Sequence, residues 1–208
     1  MDLSKPLSRI GELYSDNLER NGPISTAVGW NTPESQRLRF EKLTSVVDAS
    51  AQPFSVNDYG CGYGAHLDHL LERGMKVSAY HGYDLSEKML DTARARLGGF
   101  QGELDLRQST TLETEADYTF VSGTFNVRFE ASEDEWKRFI LGKLDEMHRR
   151  SRKGFAFNLL STYVDWQEPH LFYGDPLFWF DHCKRNYSRQ VALLHDYPLY
   201  EWTILVRK

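Results

Sequence analysis

The residues with the plainest chemical purpose are the run Asp58-Tyr59-Gly60-Cys61-Gly62-Tyr63-Gly64 and, twenty-four positions after Gly60, Asp84. Glycines at this density let the backbone turn sharply and come close to a bound ligand. The loop follows an apolar run and opens a helix-forming one, and Asp84 ends the next apolar run. A carboxylate there is placed to accept hydrogen bonds from both hydroxyls of a ribose. Loop, acid, spacing and strand context together read as a nucleoside-cofactor site. The plain structural alternative is a tight turn with a helix-capping Asp. The string Gly60-x-Gly62-x-x-Ala65 also fits a dinucleotide fingerprint. Asp58, just before the loop, argues against a pyrophosphate, which it would repel. A ligand carrying a sulfonium and an amine would not be repelled. An acid at a strand end is expected to be partly solvated without ligand, so Asp84→Ala should leave folding almost unchanged.

Alternating strand and helix signals position these residues. A helix begins at Thr32-Pro33-Glu34, with a Thr cap, Pro at the first helical position and an acid in the first turn. Strands are expected at 54–59, 76–83, 104–108, 118–122 and 154–160. Between them lie helices at 65–73, 86–97 (capped by Ser86) and 132–149, the last opened by the capping box Ser132-x-x-Glu135. Asp175-Pro176 opens another helix. Strands 190–195 and 201–207 close the chain through Pro198. This alternation argues for a parallel sheet with helices on both faces. The last two strands lack an intervening helix, so they should pair as an antiparallel hairpin. Residues 1–32 are mixed in character, with a turn at Asn21-Gly22-Pro23.

The 208 residues suffice for one α/β domain, 1–208. Hydrophobic content of 40% and charged content of 26% fit a globular protein. The net charge of -5 disfavours a large nucleic-acid surface. Cys61 and Cys183 form no CxxC pair, so neither a disulfide framework nor a zinc site is suggested, in keeping with a cytoplasmic protein. The start Met1-Asp2-Leu3-Ser4-Lys5-Pro6 lacks the pattern of a signal peptide, and no apolar run is long enough for a membrane span.

DYGCGYG resembles motif I of the class I, Rossmann-like S-adenosylmethionine-dependent methyltransferases. YDLSEKML resembles their ribose-binding motif, YTFVSGTFNV their fourth-strand motif, and LHDYPLYEWTILVRK their sixth and seventh strands. The resemblance spans roughly residues 30–208. It implies a three-layer α/β fold with a seven-stranded, mostly parallel sheet in the order 3-2-1-4-5-7-6, ending in an antiparallel hairpin. It also implies S-adenosylmethionine as cofactor and a small-molecule partner. By position, Gly60, Gly62 and Gly64 would line the methionine part of the ligand, with Asp58 just before them. Asp84 would bind the ribose, and Leu85 and Met89 would pack near the adenine. Ser122 and Gly123 would line the cleft. Ser109-Thr110 stands where the family often has an acid contacting the adenine amine.

The acceptor is not identified by these motifs. Ser122-Gly123-Thr124-Phe125-Asn126 replaces the Asn-Pro-Pro-Tyr type sequence of many enzymes that methylate planar nitrogens, which disfavours those acceptors. Asn126 reads equally as a turn residue. Segment 161–180 is rich in aromatics, including Trp166 and Tyr173. It reads either as a lid over the acceptor or as packing. Tyr14, Trp30 and Phe125 are further acceptor candidates, with 1–32 as an N-terminal cap. A hydroxyl acceptor would need a base, for which His170 is a candidate beside its ordinary surface role. His66, Asp68 and His69 invite a metal reading, since residues three apart such as His66 and His69 share a helix face, but a third convergent ligand is not evident, so a solvated face is expected and no metal. Arg149-Arg150-Ser151-Arg152-Lys153 reads as a helix C-terminus complementing the dipole. A nicotinamide-dependent oxidoreductase and a non-catalytic S-adenosylmethionine-binding module remain as alternatives, and oligomeric state is open.

Overall fold

The computed structural model describes residues 3–50 and 52–208; Met1 and Asp2, at the start of the expected cap, lie outside the described residues. The chain runs through α1 (Ser4–Asn21), a short 3-10 turn (Ser25–Val28), α2 (Pro33–Thr44), β1 (Phe54–Tyr59), α3 (Ala65–Glu72), β2 (Val77–Asp84) and α4 (Glu87–Leu97). It continues through β3 (Glu103–Gln108), β4 (Ala116–Val121), α5 (Glu133–Arg150), β5 (Ser151–Ser161), β6 (Tyr173–Gly174), α6 (Pro176–Asn186), β7 (Gln190–Leu194) and β8 (Glu201–Arg207). The sheet order is β3-β2-β1-β4-β5-β8-β7, with β6 pairing β5 off this path. β8 runs antiparallel to both β5 and β7. This is the anticipated order with one extra strand. The two-residue β6 adds its hydrogen bonds beside Leu160 and Ser161, so the sheet has eight strands and not seven.

Helix starts follow the caps. Thr32 accepts from Ser35 N at 3.1 Å, Ser86 from Met89 N at 3.2 Å, Ser132 from Glu135 N at 3.3 Å and Asp175 from Leu177 N at 3.0 Å. Each hydroxyl or carboxylate satisfies an amide that has no partner within its own helix. The basic run divides differently from expectation. Arg149 and Arg150 end α5, but Arg152 and Lys153 already belong to β5 and pair with Asp117 at 3.2 and 3.4 Å. The strand starts early because Ser151 is buried and bonds Thr119.

The sheet separates two apolar layers. On one face Phe155, Phe157, Leu159, Trp202, Ile204 and Val206 meet Trp136, Ile140 and Leu144 of α5 and Trp179 of α6. On the other, Val56, Phe120, Ala156 and Leu205 meet Leu43 of α2, Leu67 and Leu70 of α3, and Leu90 and Leu97 of α4. The period of two along β5 and β8 sends alternate residues to opposite layers. α1 was missed by the sequence reading, although Leu3, Leu7, Ile10, Tyr14 and Leu18 form a stripe at helical spacing. It lies across the carboxyl ends of the strands, with Gly11 against Leu85. Ser15 shares a 2.7 Å hydrogen bond with Ser86, and Arg9 pairs with Glu130 at 3.2 Å. Among the described residues, no helix is long and apolar enough to cross a membrane.

Candidate active site

β1 delivers the glycine loop to the end of β2, where Gly60 N and Cys61 N both donate to Tyr83 O at 2.7 and 3.1 Å. Gly60 has φ +79°, and a Cβ there would fall 2.0 Å from Thr124 Oγ1, whose hydroxyl donates to Tyr59 O. Only glycine fits both the left-handed backbone and that approach. Asp84 closes the loop from the neighbouring strand. Its Oδ2 accepts from Gly62 N at 2.8 Å and its Oδ1 from Ser86 N at 2.9 Å. The carboxylate therefore ties the loop to the start of α4. Desolvation raises its pKa, and the amides of Ser86, Gly62 and Leu85 oppose that rise. Asp84 is half-buried, but its two amide bonds make it a structural strut as well, so Asp84→Ala is not expected to leave folding unchanged.

Loop and acid form one wall of a cavity. Gly60, Gly62, Asp84, Leu85, Met89, Ser109, Ser122 and Gly123 all line it. The opposite wall is Leu7, Ile10 and Tyr14 of α1 with Trp136 and Phe139 of α5, and Tyr59, Tyr83 and Thr124 complete the floor. Burial and the Asp84 charge push the Tyr14 phenol up to about 12. A smaller cavity adjoins it across the loop, sharing Val28, Gly60, Gly62 and Ser122.

Asp58 lies in that smaller cavity, 2% exposed, and accepts from Tyr80 Oη at 2.5 Å. Burial and the Asp84 charge raise its carboxyl to about 7, against the Tyr80 bond. His66, also 2% exposed, stands with Nδ1 3.8 Å from Asp58 Oδ2. That approach is not an ion pair at neutral pH, because burial and the neighbouring His69 push the imidazole down to about 3. His66 Nδ1 and Ser122 Oγ are buried without a hydrogen-bond partner, and both residues line this cavity. An unmet polar atom in an enclosed space is costly unless a ligand or water meets it.

Several expected site residues lie elsewhere. Gly64 caps α3 at φ +82°, where a Cβ would meet Leu97 at 2.6 Å; it serves helix packing and lines neither cavity. Phe125 is fully buried between Tyr59 and Phe139, and its carbonyl accepts from Trp136 Nε1. Trp30 lines the smaller cavity, packed on Gly123 and under the Arg39 guanidinium at 3.7 Å. Nothing in 161–180 lines either cavity. Trp166 is 66% exposed beside Tyr200, Tyr173 pairs β5 through β6, and Phe172 and Trp179 are core. His170 is exposed against Phe129. β6 and α6 commit Phe172 and Trp179 to the core while Tyr163 and Trp166 stay exposed, and it is α1 that lines the cleft. Asn126 Oδ1 accepts from Leu160 N, so its side chain ties the loop after β4 to β5. His66 and His69 are buried against Phe40 and not solvated, and Asp68 pairs with Arg96. Among the described residues, no group of three or more His, Cys, Asp or Glu could hold a metal ion.

A buried polar chain runs behind the cleft. Gly123 N donates to Asn158 Oδ1 at 2.7 Å, Asn158 Nδ2 to Glu201 Oε2 at 2.7 Å, and Glu201 pairs with Arg39. It fixes the Ser122–Gly123 turn to the sheet and holds α2 against it.

The strand order, the antiparallel β8 and the glycine loop closed by an acid on the next strand define the Rossmann-like class of S-adenosylmethionine-dependent methyltransferases. Residues 56–154 match the family model described as "Methyltransferase domain". The "Putative methyltransferase Rv1506c" of Mycobacterium tuberculosis is 48% identical over 161 residues, covering 76% of this chain and 96% of that protein. The chain belongs to this methyltransferase family. The fold is shared with magnesium protoporphyrin IX methyltransferase from Synechocystis PCC 6803, solved with bound SAH, at TM-score 0.70 and 13% identity over 100% of both chains. It is also shared with Haemonchus contortus phosphoethanolamine N-methyltransferase 1, at TM-score 0.67 and 11% identity over 100% of this chain and 50% of the other.

Proposed function

We propose that the chain methylates a small-molecule acceptor in the larger cavity, using S-adenosylmethionine held between Asp84 and the glycine loop. One observation carries this reading: the carboxylate of Asp84 and the loop amide it bonds stand in the same cavity wall. Each carboxylate oxygen of Asp84 uses one lone pair on a backbone amide and has another for a ribose hydroxyl. Leu85, Met89 and Ser109 would flank the adenine. Gly60, Gly62, Ser122 and Gly123 would follow the methionine chain into the smaller cavity, where Asp58 faces its ammonium. The unmet Ser122 Oγ and His66 Nδ1 fit a ligand with polar groups at that end. When bound, S-adenosylmethionine supplies an activated methyl group on a sulfonium. The protein's part is positioning and water exclusion, supplied by α1 and α5, since methyl transfer depends chiefly on in-line approach.

Isothermal calorimetry tests the reading. S-adenosylmethionine and S-adenosylhomocysteine should bind and nicotinamide dinucleotides should not. Tight dinucleotide binding without either sulfur ligand would remove it.

A further inference from the structure

Apart from Asp84, the glycine loop and the residues packed on it, the larger cavity is lined by Leu7, Ile10 and Tyr14 of α1 and Trp136 and Phe139 of α5. Among the described residues lining that cavity there is no Lys, Arg or His, and the one carboxylate is Asp84. A phosphate or carboxylate entering it would lose hydration, meet no cationic side chain and face Asp84, leaving the transferable sulfonium as its sole counter-charge. Proton removal is equally constrained. Tyr14 and Tyr59 are held in the phenol form by burial and by neighbouring carboxylates, so at neutral pH neither is a phenolate that could take up a proton. Asp84 is engaged by two amides. A hydroxyl or thiol acceptor, which must shed its proton to become a good nucleophile, has no base within these walls.

We propose that the methyl acceptor is an uncharged, largely apolar small molecule that attacks through a neutral amine nitrogen. The inference rests on the reading that S-adenosylmethionine occupies the Asp84 side of the cavity. An amine needs no enzymic base. Its lone pair forms the N–C bond as the methyl C–S bond breaks, and the electron pair of that bond returns to sulfur. The proton left on nitrogen passes to water once the product reaches solvent. Low polarity keeps the amine neutral before attack, because burial disfavours the ammonium form. The positive charge moves from sulfur to nitrogen and never leaves the cavity. There Asp84 and the faces of Tyr14, Trp136 and Phe139 offset its desolvation.

The test uses four probes of one shape: benzylamine, benzyl alcohol, benzyl mercaptan and 4-(aminomethyl)benzoate. S-adenosylhomocysteine binding is measured first by calorimetry; its absence would overturn the proposed function itself, before any acceptor is in question. On the complex with S-adenosylhomocysteine, benzylamine should bind more tightly as pH rises towards its own pKa. The carboxylate analogue should bind at least about tenfold more weakly. Phe139→Ala should weaken benzylamine by roughly tenfold through lost apolar contact while leaving S-adenosylhomocysteine affinity unchanged. With labelled S-adenosylmethionine, methyl should pass to the amine and not to the alcohol or thiol. Equal or tighter binding of the carboxylate analogue would overturn the proposal. So would failure of every benzyl probe to bind, or transfer to oxygen or sulfur with none to nitrogen despite amine binding.

Discussion

Asp84→Ala removes at one stroke the acceptor for Gly62 N–H at 2.8 Å and for Ser86 N–H at 2.9 Å, together with the proposed seat of the ribose. Two bonds to a charged acceptor are worth about 1.5–3 kcal/mol each. Part of that is returned, because the half-buried carboxylate no longer has to be partly desolvated, a cost visible in its raised pKa. The freed Gly62 amide borders an open cavity and can find water. The net loss of stability should be about 1–3 kcal/mol. At roughly 2–4 °C per kcal/mol for a chain of this size, the unliganded variant should unfold about 2–12 °C lower. Cofactor affinity should fall further. Two ribose hydroxyls lose a charged partner, and the loop that borders the ligand loses its tie. Together these give a loss of roughly one to four powers of ten. Asp84→Asn should lie between, since its amide keeps one acceptor oxygen but turns an NH₂ towards a backbone N–H. Calorimetry at 25 °C on protein verified as folded, beside thermal unfolding of the same preparation, separates the two effects. A variant that melts lower yet binds S-adenosylhomocysteine like the parent would show Asp84 to be a strut only, and the ribose placement would be refuted.

Two further perturbations follow from the buried charges. In the unliganded protein the Asp58 carboxyl titrates near 7, raised by burial and by Asp84. Binding an ammonium beside it requires the ionised form and so must expel a proton below that pH. S-adenosylmethionine affinity should therefore fall as pH drops from 7 towards 5, approaching about tenfold per unit, and Asp58→Asn should flatten the profile. A parent profile that is already flat would place the ammonium elsewhere. The same raised pKa means that the folded state holds this proton more tightly than the unfolded chain. The contribution to stability is full at low pH and lost as pH rises through about 7. Glu201→Ala would strand the buried Arg39 cation and should cost about 3–5 kcal/mol by chemical denaturation, most of it regained in the double variant Arg39→Met/Glu201→Leu. A single variant as stable as the parent would show that the pair does not anchor α2.

What the sequence by itself determined was local or periodic. Ser86, Ser132, Asp175 and Thr32-Pro33 each mark a helix start because a cap is a contact within four residues. The alternation of apolar runs announced a parallel sheet, and the helix-less connection before β8 announced the reversal that the topology shows. The glycine loop and Asp84 were legible because their spacing is set by one strand–helix–strand unit, and they do share a wall. Tertiary structure alone decided the rest. Leu7, Ile10 and Tyr14 carried a helical stripe that could have been read, but nothing local says which cleft a helix covers. Trp136 and Phe139 enter the cavity from α5, a contact that no local motif announces. The rings of 161–180 read equally as a lid or as packing, because aromatic density does not encode direction. Two backbone pairings at β6 turned that segment onto the sheet, and burial of Trp179 and Phe172 gained more than exposure over the cleft would have. Asp58 was read as an acid beside the loop. Its enclosure with Tyr80 and His66, which governs its charge, comes from side chains twenty-two and eight residues away, brought together only by the folded sheet.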